Sequence, residues 1–295
     1  MARLAFLGTP DMAVPPLRAL VDAGHEIALC VTRPDRKRGR GGALSPSPVK
    51  AAALELGLPV THAMDDVATA HVELAVVVAY GRIIPVALLD QVPMINLHFS
   101  LLPRWRGAAP VEWAILAGDH ETGVCLMKVE EGLDTGAVYA VRKVPIDDEV
   151  DLSALRTRLV SVGAELLVES LHDGLAGLPD PQPQRGEATM AEKISKEDLH
   201  LHWEEDARVL QRVVRLGHAW TSFRGQRFRV LRAAVDDEGA SVVADPPGTL
   251  RGTAVVTGRG ALRLLEVQPE SRSSMSAEDW ARGAHLREGE RLGSD

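Results

Sequence analysis

The sequence is poor in cysteine and in aromatic residues. Its 295 residues include only two cysteines, Cys30 and Cys125. Neither has another cysteine or a histidine at the spacing of metal ligands, which argues against a disulfide framework and against a structural zinc site. A reducing, cytoplasmic location is therefore expected. Phe, Trp and Tyr together make up 4% of the chain, so its core must be mainly aliphatic.

The chain also lacks long hydrophobic runs and an excess of positive charge. The apolar run at its N-terminus stops at Gly8 and Pro10, and no segment approaches the roughly 20 apolar residues that span a bilayer. Neither export nor membrane insertion is expected. A net charge of -8 disfavours nonspecific adhesion to nucleic acid, although a local basic patch can exist within an acidic total.

The first half does contain an alternation of short aliphatic runs with helical patterns. The runs typical of strands are RLAFLG, EIALCVT, LAVVVAYG and MINLHFS, and stretches such as PPLRALVDAG and PVKAAALELG lie between them. This alternation predicts an α/β fold with a Rossmann-like, mostly parallel sheet covered by helices. The G-x-G-x-x-G fingerprint is missing, so a dinucleotide cofactor is only weakly indicated.

The second half has a different composition. A helix is predicted from Asp151 to His172, and the Pro- and Gly-rich stretch GLPDPQPQRGEAT that follows is typical of an exposed linker. Beyond it, the amphipathic helix in DARVLQRVVRLG and several short β-like runs favour a small all-β barrel or sandwich. We expect a catalytic domain over residues 1–186, a linker over 187–202 and a second domain over 203–295.

Polar residues interrupt one of the predicted strands near its end. In INLHFSLLPRWRG, Asn96 and His98 should share one face of the strand, whereas Ile95 and Leu97 face the other side. Open α/β sheets bind their ligands at the carboxyl ends of such strands. Asp134 lies in the bend EEGLDTG, which could return a carboxylate to the same place. Taken singly, a histidine at a strand end is often structural, and an aspartate in such a bend is a common turn residue.

Together these three side chains predict a particular chemistry. Asn96 offers an N–H donor, His98 can donate or accept a proton, and Asp134 can fix the imidazole tautomer or accept a proton. The set has no nucleophile of its own, so it suits transfer of an acyl group to an amine that the substrate supplies. A hydrolase built from Ser100, His98 and Asp134 is the rival interpretation, but Ser100 does not lie in a G-x-S-x-G turn.

Several motifs resemble those of one known family. The block NLHFSLLPRWRGAAP, followed by GLDTG, resembles the folate-dependent formyltransferases. Within that group, RPDRKRGRGGALSPSPVK, AEKISKED and the complete second half resemble the methionyl-tRNA formyltransferases, and the resemblance covers essentially the whole chain. It implies transfer of a formyl group from 10-formyltetrahydrofolate to the α-amino group of methionyl initiator tRNA. No metal is required by this chemistry, and a monomer is expected.

The resemblance also implies roles for individual residues. The expected catalytic set is Asn96, His98 and Asp134. The expected folate-site residues are Ser100, Leu101, Leu102 and Pro103. The residues expected to contact the tRNA acceptor stem are Arg36, Lys37, Arg38 and Arg40, although a charge run alone usually indicates a solvated loop. The second domain is expected to resemble an OB-fold barrel that helps to hold the tRNA.

The second half adds basic residues of its own. Seven arginines fall between Arg208 and Arg232, many of them on the helix face opposite its apolar stripe, and we expect them to make salt-dependent phosphate contacts. The stretch RLGHAWTSFRG departs from the family, because Trp220 lacks the flanking prolines often found there. The resemblance therefore does not imply the shape of this loop.

Two other classes of protein stay open at this point. One is a formyltransferase that acts on a small amine such as a sugar nucleotide, and the basic loop and second domain argue against it. The other is a non-enzymatic RNA-binding protein, and the intact set of Asn96, His98 and Asp134 argues against that.

Overall fold

The structure is a computed structural model, and it describes residues 1–38, 42–236 and 245–294. The chain divides into two units. Unit 1 is built from Met1–Val111, Glu121–Pro145 and Leu155–Glu192. Unit 2 is built from Glu112–His120, Ile146–Ala154 and Lys193–Asp295. The domain boundaries expected from the sequence, which assume unbroken segments, stay a prediction.

Short strands and helices alternate through the first part of the chain. The strands are β1 (Arg3–Gly8), β2 (Glu26–Val31), β3 (Arg36–Arg38), β4 (Ala43–Ser45), β5 (Val60–Thr61), β6 (Leu74–Val78), β7 (Met94–His98), β8 (Arg106–Gly107), β9 (Glu121–Lys128), β10 (Val138–Pro145) and β11 (Met190–Ala191). The helices are α1 (Val14–Asp22), α2 (Pro48–Glu55), α3 (Asp66–Thr69), α4 (Val86–Leu89), α5 (Pro110–Ala117) and α6 (Leu152–Ser170). Helix α6 lies within the predicted range of 151–172.

Seven of these strands form one sheet in the order β10-β9-β7-β6-β1-β2-β5. Strands β7, β6, β1, β2 and β5 run parallel to one another, whereas β9 and β10 form an antiparallel hairpin at one edge. The prediction of a Rossmann-like, mostly parallel sheet is confirmed. Strand β7 therefore has a parallel neighbour on one side and an antiparallel neighbour on the other.

The packing of this sheet determines which way the residues of β7 face. All of β6, Leu74–Val78, is buried, as expected for a parallel strand whose two faces are both covered. Helix α6 covers one face of β7 closely, because a Cβ on Gly163 would lie only 2.9 Å from Leu97 Cδ2. This contact fixes Leu97 in the core and leaves the opposite face of β7 to Asn96 and His98.

Unit 2 is mainly antiparallel β structure. Its strands are β12 (Trp220–Phe223), β13 (Gln226–Val235), β14 (Leu250–Arg251), β15 (Ala254–Val256), β16 (Ala261–Pro269) and β17 (Met275–Ser276), and its further helices are α7 (Ala207–Arg215) and α8 (Ala277–Ala284). The strands pair in the order β12-β13-β16-β15-β14, with β17 also paired to β16. Phe223, Phe228 and Trp280 form an aromatic cluster at its core, with ring centroids 4.6 to 6.0 Å apart. The prediction of a second, smaller β domain is confirmed.

None of the helices in the described ranges has both the length and the apolar character that crossing a bilayer requires.

Candidate active site

The carboxyl end of β7 presents two polar side chains on one face. Ile95 and Leu97 are each 1% exposed and lie in the core, whereas Asn96 is partly exposed on the opposite face and His98 ends the strand. Among the described residues, none hydrogen-bonds to the side-chain amide of Asn96. Its N–H groups are therefore available to an oxygen of a substrate.

The loop after β7 folds back over His98. The imidazole Nε2 lies 2.9 Å from the main-chain oxygen of Trp105. Because a carbonyl oxygen can only accept, Nε2 carries the hydrogen of this bond. The other ring nitrogen, Nδ1, is then the one that can exchange a proton with a substrate.

The bend between β9 and β10 brings Asp134 to that second nitrogen. Asp134 Oδ2 lies 3.6 Å from His98 Nδ1 and accepts a hydrogen bond of 2.9 Å from the main-chain N–H of Gly107. The two side chains are largely buried, with exposed fractions of 6% for His98 and 14% for Asp134. A separation of 3.6 Å is too long for a hydrogen bond. The carboxylate therefore acts on the imidazole through its charge and stabilises positive charge on the ring.

The conformation of this bend explains its Gly-rich sequence. Asp134 has a φ of +50°, a left-handed conformation that aspartate tolerates better than most residues. Gly136 allows the chain to pass close to β9, because a Cβ at this position would lie 1.9 Å from the main-chain oxygen of Lys128. Asp134 and Gly136 thus allow the backbone conformation of the bend. The bend in turn places the carboxylate beside His98.

Ser100 belongs to the framework of the loop. Its side chain is fully buried, and its hydroxyl donates to the main-chain oxygen of Arg104 at 2.6 Å. A serine nucleophile must share its proton with the histidine that acts as base. In this site the Ser100 proton goes to a carbonyl, and His98 Nε2 is held by Trp105. The interpretation as a Ser100–His98–Asp134 hydrolase is therefore wrong.

The predicted folate-site residues differ in how much surface they offer. Ser100 and Pro103 are buried, whereas Leu101 and Leu102 are partly exposed. Leu101 packs against β9, where a Cβ on Gly123 would lie 2.5 Å from its Cδ2. Side-chain contacts with a ligand at this turn would therefore come from the two leucines.

Cys125 is the neighbour of His98 on β9, and it does not supply a nucleophile. The two residues are paired across the β7–β9 ladder. Burial raises the pKa of the Cys125 thiol to about 11, so the thiol is protonated at neutral pH. Reactive cysteines act as thiolates. Neither Ser100 nor Cys125 is therefore a candidate nucleophile at this strand end.

A segment predicted to be an exposed linker joins the two loops of the site, and we call residues 182–191 the strap. Gln184 donates from Nε2 to the main-chain oxygens of Asp134 and Gly136, both at 2.8 Å. Its Oε1 accepts from Nε and Nη2 of Arg106 at 3.1 and 2.6 Å. One side chain thus connects the Asp134 bend to the loop after β7. Most residues of the strap are exposed, as expected of a linker, but its bonds to the two loops of the site are not predicted by the sequence.

The strap also pairs with the loop after β7 as a short strand. Strand β11 lies parallel to β8, with Ala191 opposite Gly107. Gly107 has a φ of +122°, and a Cβ there would lie 2.7 Å from the Ala191 oxygen, so glycine is required. Thr189 Oγ1 accepts from the Trp105 N–H at 2.9 Å, a contact between residues 84 positions apart. The polar strap has no hydrophobic periodicity, and no local pattern in the sequence could have indicated such distant partners.

Comparison with known proteins identifies the relatives of this chain. The profile of the formyl transferase family matches residues 2–171, and that of the formyl transferase C-terminal domain matches 193–285. A methionyl-tRNA formyltransferase from Methylococcus capsulatus is 43% identical over 99% of this chain and 100% of its own length. One from Thermus thermophilus is 44% identical over 99% of both chains. The chain belongs to the formyl transferase family.

The formyl transferase fold is also found in a solved structure. HypX from Aquifex aeolicus, in complex with tetrahydrofolic acid, has a TM-score of 0.64 and 21% identity to this chain. The match covers 95% of this chain and 46% of HypX, so this chain spans about half the length of that protein. At this identity the likeness shows a shared fold. Asn96, His98 and Asp134 all lie in the region that the formyl transferase profile matches.

The basic loop of this formyl transferase is partly described by the structure. Arg36 and Lys37 are exposed on a hairpin of β3 and β4, where they pair with Ser45 and Leu44. The main chain of Arg38 belongs to β3, and Arg40 lies outside the described residues. Lys50 Nζ anchors the base of the hairpin by contacting Asp35 Oδ1 at 2.8 Å.

The arginines of the C-terminal domain do not all form the open basic face that the sequence predicts. Arg215 is only 8% exposed, and its guanidinium donates to the main-chain oxygens of Val150 and Asp147, both at 2.8 Å. Arg212 Nη1 lies 3.4 Å from the oxygen of Ala117. The prediction of a phosphate-binding role is wrong for Arg215. Helical periodicity separates polar from apolar positions, but it does not show that main-chain oxygens distant in sequence bind Arg215.

Proposed function

We propose that this chain transfers the formyl group of 10-formyltetrahydrofolate to the α-amino group of methionine on initiator tRNA. The observation that carries the proposal is the His98–Asp134 pair, 3.6 Å apart, on the same strand end as the open amide of Asn96. Relatives at 42% to 44% identity, matched over nearly their full length, are methionyl-tRNA formyltransferases. This match supports tRNA as the acceptor over a small amine.

The three residues carry complementary parts of the proposed reaction. The donor supplies the formyl carbon and leaves as tetrahydrofolate. Asn96 and the Nδ1–H of protonated His98 donate to the formyl oxygen, which gains negative charge as the methionine nitrogen bonds to the formyl carbon. Asp134 stabilises the imidazolium and accepts, directly or through water, the proton that the amine loses.

Proton movement within the pair completes the cycle. His98 gives its Nδ1 proton to N10 of the donor as the bond between N10 and the formyl carbon breaks. Asp134 then returns the amine proton to Nδ1. Nε2 stays protonated throughout because it remains bonded to the Trp105 oxygen. The pair therefore ends each turnover in the protonation state in which it began.

Two further sets of residues are proposed to bind the substrates. Leu101 and Leu102 contact the folate, while Ser100 and Pro103 shape the turn that presents them. Arg36, Lys37, Arg38 and Arg40 contact phosphates of the acceptor stem, supported by the exposure of Arg36 and Lys37 on the β3–β4 hairpin. We also infer a cytoplasmic monomer, which light scattering after size-exclusion chromatography tests as the mass of one chain.

Substrate competition tests the proposed acceptor. The purified chain is given 10-formyltetrahydrofolate with methionyl initiator tRNA, methionyl elongator tRNA or an amino-sugar nucleotide. We expect kcat/KM for the initiator tRNA to exceed that for the other two acceptors by at least about 100-fold. Equal or faster formylation of the sugar nucleotide would instead establish a small-amine formyltransferase, and formylation of none of them would refute the proposal.

A further inference from the structure

Three side chains with metal-binding atoms meet in unit 2, before α7. They are Glu197, His200 and His202, and one possible ligand atom from each lies within 4.8 Å of the others. Glu197 Oε1 is 3.1 Å from His202 Nε2 and 4.0 Å from His200 Nδ1. The two imidazole rings meet edge to face, with centroids 4.5 Å apart. Two ring nitrogens and a carboxylate oxygen thus share one small volume.

The local backbone explains why these residues converge. A turn of 3-10 helix spans Glu197–Leu199, and the His200 N–H closes it on the Glu197 oxygen at 2.9 Å. The chain is then extended at His200, with a ψ of 133°. Residues two apart in an extended chain share a face, so His202 returns to the side of His200. Ser195 Oγ bonds to Asp198 Oδ2 at 2.7 Å and fixes the start of the turn.

Strand β12 supports the cluster from the side. The Leu201 N–H donates to the Trp220 oxygen at 2.9 Å, and the Trp220 indole N–H donates to the Lys196 oxygen at 3.0 Å. The Trp220 ring also packs on His200, with centroids 4.3 Å apart. His200 is therefore held in position independently of any ion, and such support of a ligand ring favours metal binding.

We propose that Glu197, His200 and His202 bind a divalent transition-metal ion, with zinc as the preferred ion. Two imidazoles and a carboxylate form a ligand set that zinc uses, with bonds of about 2.0–2.2 Å that place tetrahedral ligand atoms about 3.4 Å apart. The separations of 3.1 and 4.0 Å lie on either side of this value. The side chains of Glu197 and His202 are 74% and 51% exposed, so both can rotate to complete the geometry. Water occupies the remaining position.

The ion has a structural role that is separate from formyl transfer. It ties the turn at Glu197–Leu199 to His202 and, through His200, to Trp220. The catalytic pair of His98 and Asp134 belongs to unit 1, whereas all three ligands belong to unit 2. A search of the sequence by cysteine spacing could not find this site, because its ligands are histidine and glutamate.

Metal titration of the full-length chain tests this proposal. The chain is purified without a histidine tag, treated with EDTA and dialysed, and zinc chloride is then titrated by calorimetry. We expect one ion per chain, and we expect His202→Ala and Glu197→Gln each to weaken zinc affinity by at least about tenfold. Both side chains are exposed, so these variants keep the fold. His120→Ala removes an exposed histidine outside the cluster and serves as the matched control.

Two further measurements make the result specific. Cobalt(II) is titrated by its visible absorption, which reports the geometry of the ligands. Thermal unfolding with and without zinc should show a higher Tm for the parent and for His120→Ala, and no change for His202→Ala. Binding well below one ion per chain, or equal zinc affinity in the parent, His202→Ala and Glu197→Gln, would overturn the proposal.

Discussion

His98 and Asp134 face each other across 3.6 Å, and the groups around them limit what each can do. The Trp105 oxygen holds Nε2 of His98, so the ring exchanges protons through Nδ1 alone. The Gly107 N–H binds the carboxylate of Asp134, and Gln184 binds its main-chain oxygen. Two loops and the strap therefore hold the pair in place. A proton can be transferred to or from the pair without a change in the backbone.

Removing the charge of Asp134 isolates its electrostatic role. In Asp134→Asn the amide oxygen can still accept from the Gly107 N–H, so the bend keeps its shape while the negative charge is lost. We expect kcat for formyl transfer to fall by about 10²–10⁴-fold with an unchanged Tm. Steady-state kinetics and thermal unfolding provide the two readings. A variant with parental kcat would show that the carboxylate charge is not needed.

Gln184 is a positioning residue for Asp134. Gln184→Ala removes both bonds that hold the main chain of the Asp134 bend, so the carboxylate loses its fixed place beside His98. We expect kcat to fall by about tenfold or more while KM for tRNA stays unchanged. Gln182→Ala is the matched control, because among the described residues the side chain of Gln182 bonds only to the nearby main-chain oxygen of Asp180. Equal losses in the two variants, or a loss confined to KM, would contradict this role.

The basic hairpin should determine part of the salt dependence of tRNA binding. Arg36→Ala and Lys37→Ala each remove one exposed cation from β3. We expect weaker binding and a slope of log affinity against log salt that is smaller by about 0.7–0.9 for each phosphate that the variant no longer binds. Arg18→Ala removes a partly exposed arginine that pairs with Glu55 outside the hairpin, and tRNA binding by this variant should match the parent. Parental slopes in both hairpin variants would exclude phosphate binding there.

The two buried cysteines predict a loss of stability at high pH. Burial raises the pKa of Cys30 to about 12 and that of Cys125 to about 11. In the unfolded chain a thiol titrates near pH 8.5, so above about this pH the unfolded state releases protons that the folded state retains. Below that pH the buried thiols contribute fully to stability. As the pH rises above it, the free energy of unfolding falls by up to about 1.4 kcal/mol per pH unit for each thiol. Denaturant unfolding in reducing buffer between pH 8 and 10.5 measures this slope.

A cysteine variant tests whether the thiols cause the fall in the free energy of unfolding with pH. Cys30→Ala removes one of the two groups, and the fall in the free energy of unfolding above pH 9 should become shallower. The same slope in Cys30→Ala and the parent would show that other groups cause the loss of stability.

The parts of the site that follow from local chain geometry could be predicted from the sequence. Alternation along β7 indicated that Asn96 and His98 share a face, because side chains in a strand alternate whatever surrounds it. The Gly-rich sequence around Asp134 indicated a bend, since glycine lets the chain turn tightly and approach other backbone closely. The resemblance to a known family then supplied the donor and the acceptor, which no residue pattern could give.

The parts that depend on contacts between distant segments could not be predicted. Gln184 reaches Asp134 across 50 residues from a stretch with no periodicity, so nothing local distinguishes it from an exposed linker residue. Arg215 is a case in which the sequence predicts a role that the structure excludes. Periodicity places Arg215 on the polar side of α7, where it is a candidate to bind phosphate. In the structure its guanidinium is buried and bonds to main-chain oxygens of a segment distant in sequence.

Single-turnover formyl transfer is the most direct test of the central claim. Excess chain is mixed with 10-formyltetrahydrofolate and a limiting amount of methionyl initiator tRNA, and formyl-methionyl-tRNA is followed with time for the parent and for His98→Ala. The parent should formylate all of the charged tRNA, and folded His98→Ala should react at least about 10²-fold more slowly. No formyl-methionyl-tRNA from the parent, or a near-parental rate from His98→Ala, would contradict the account.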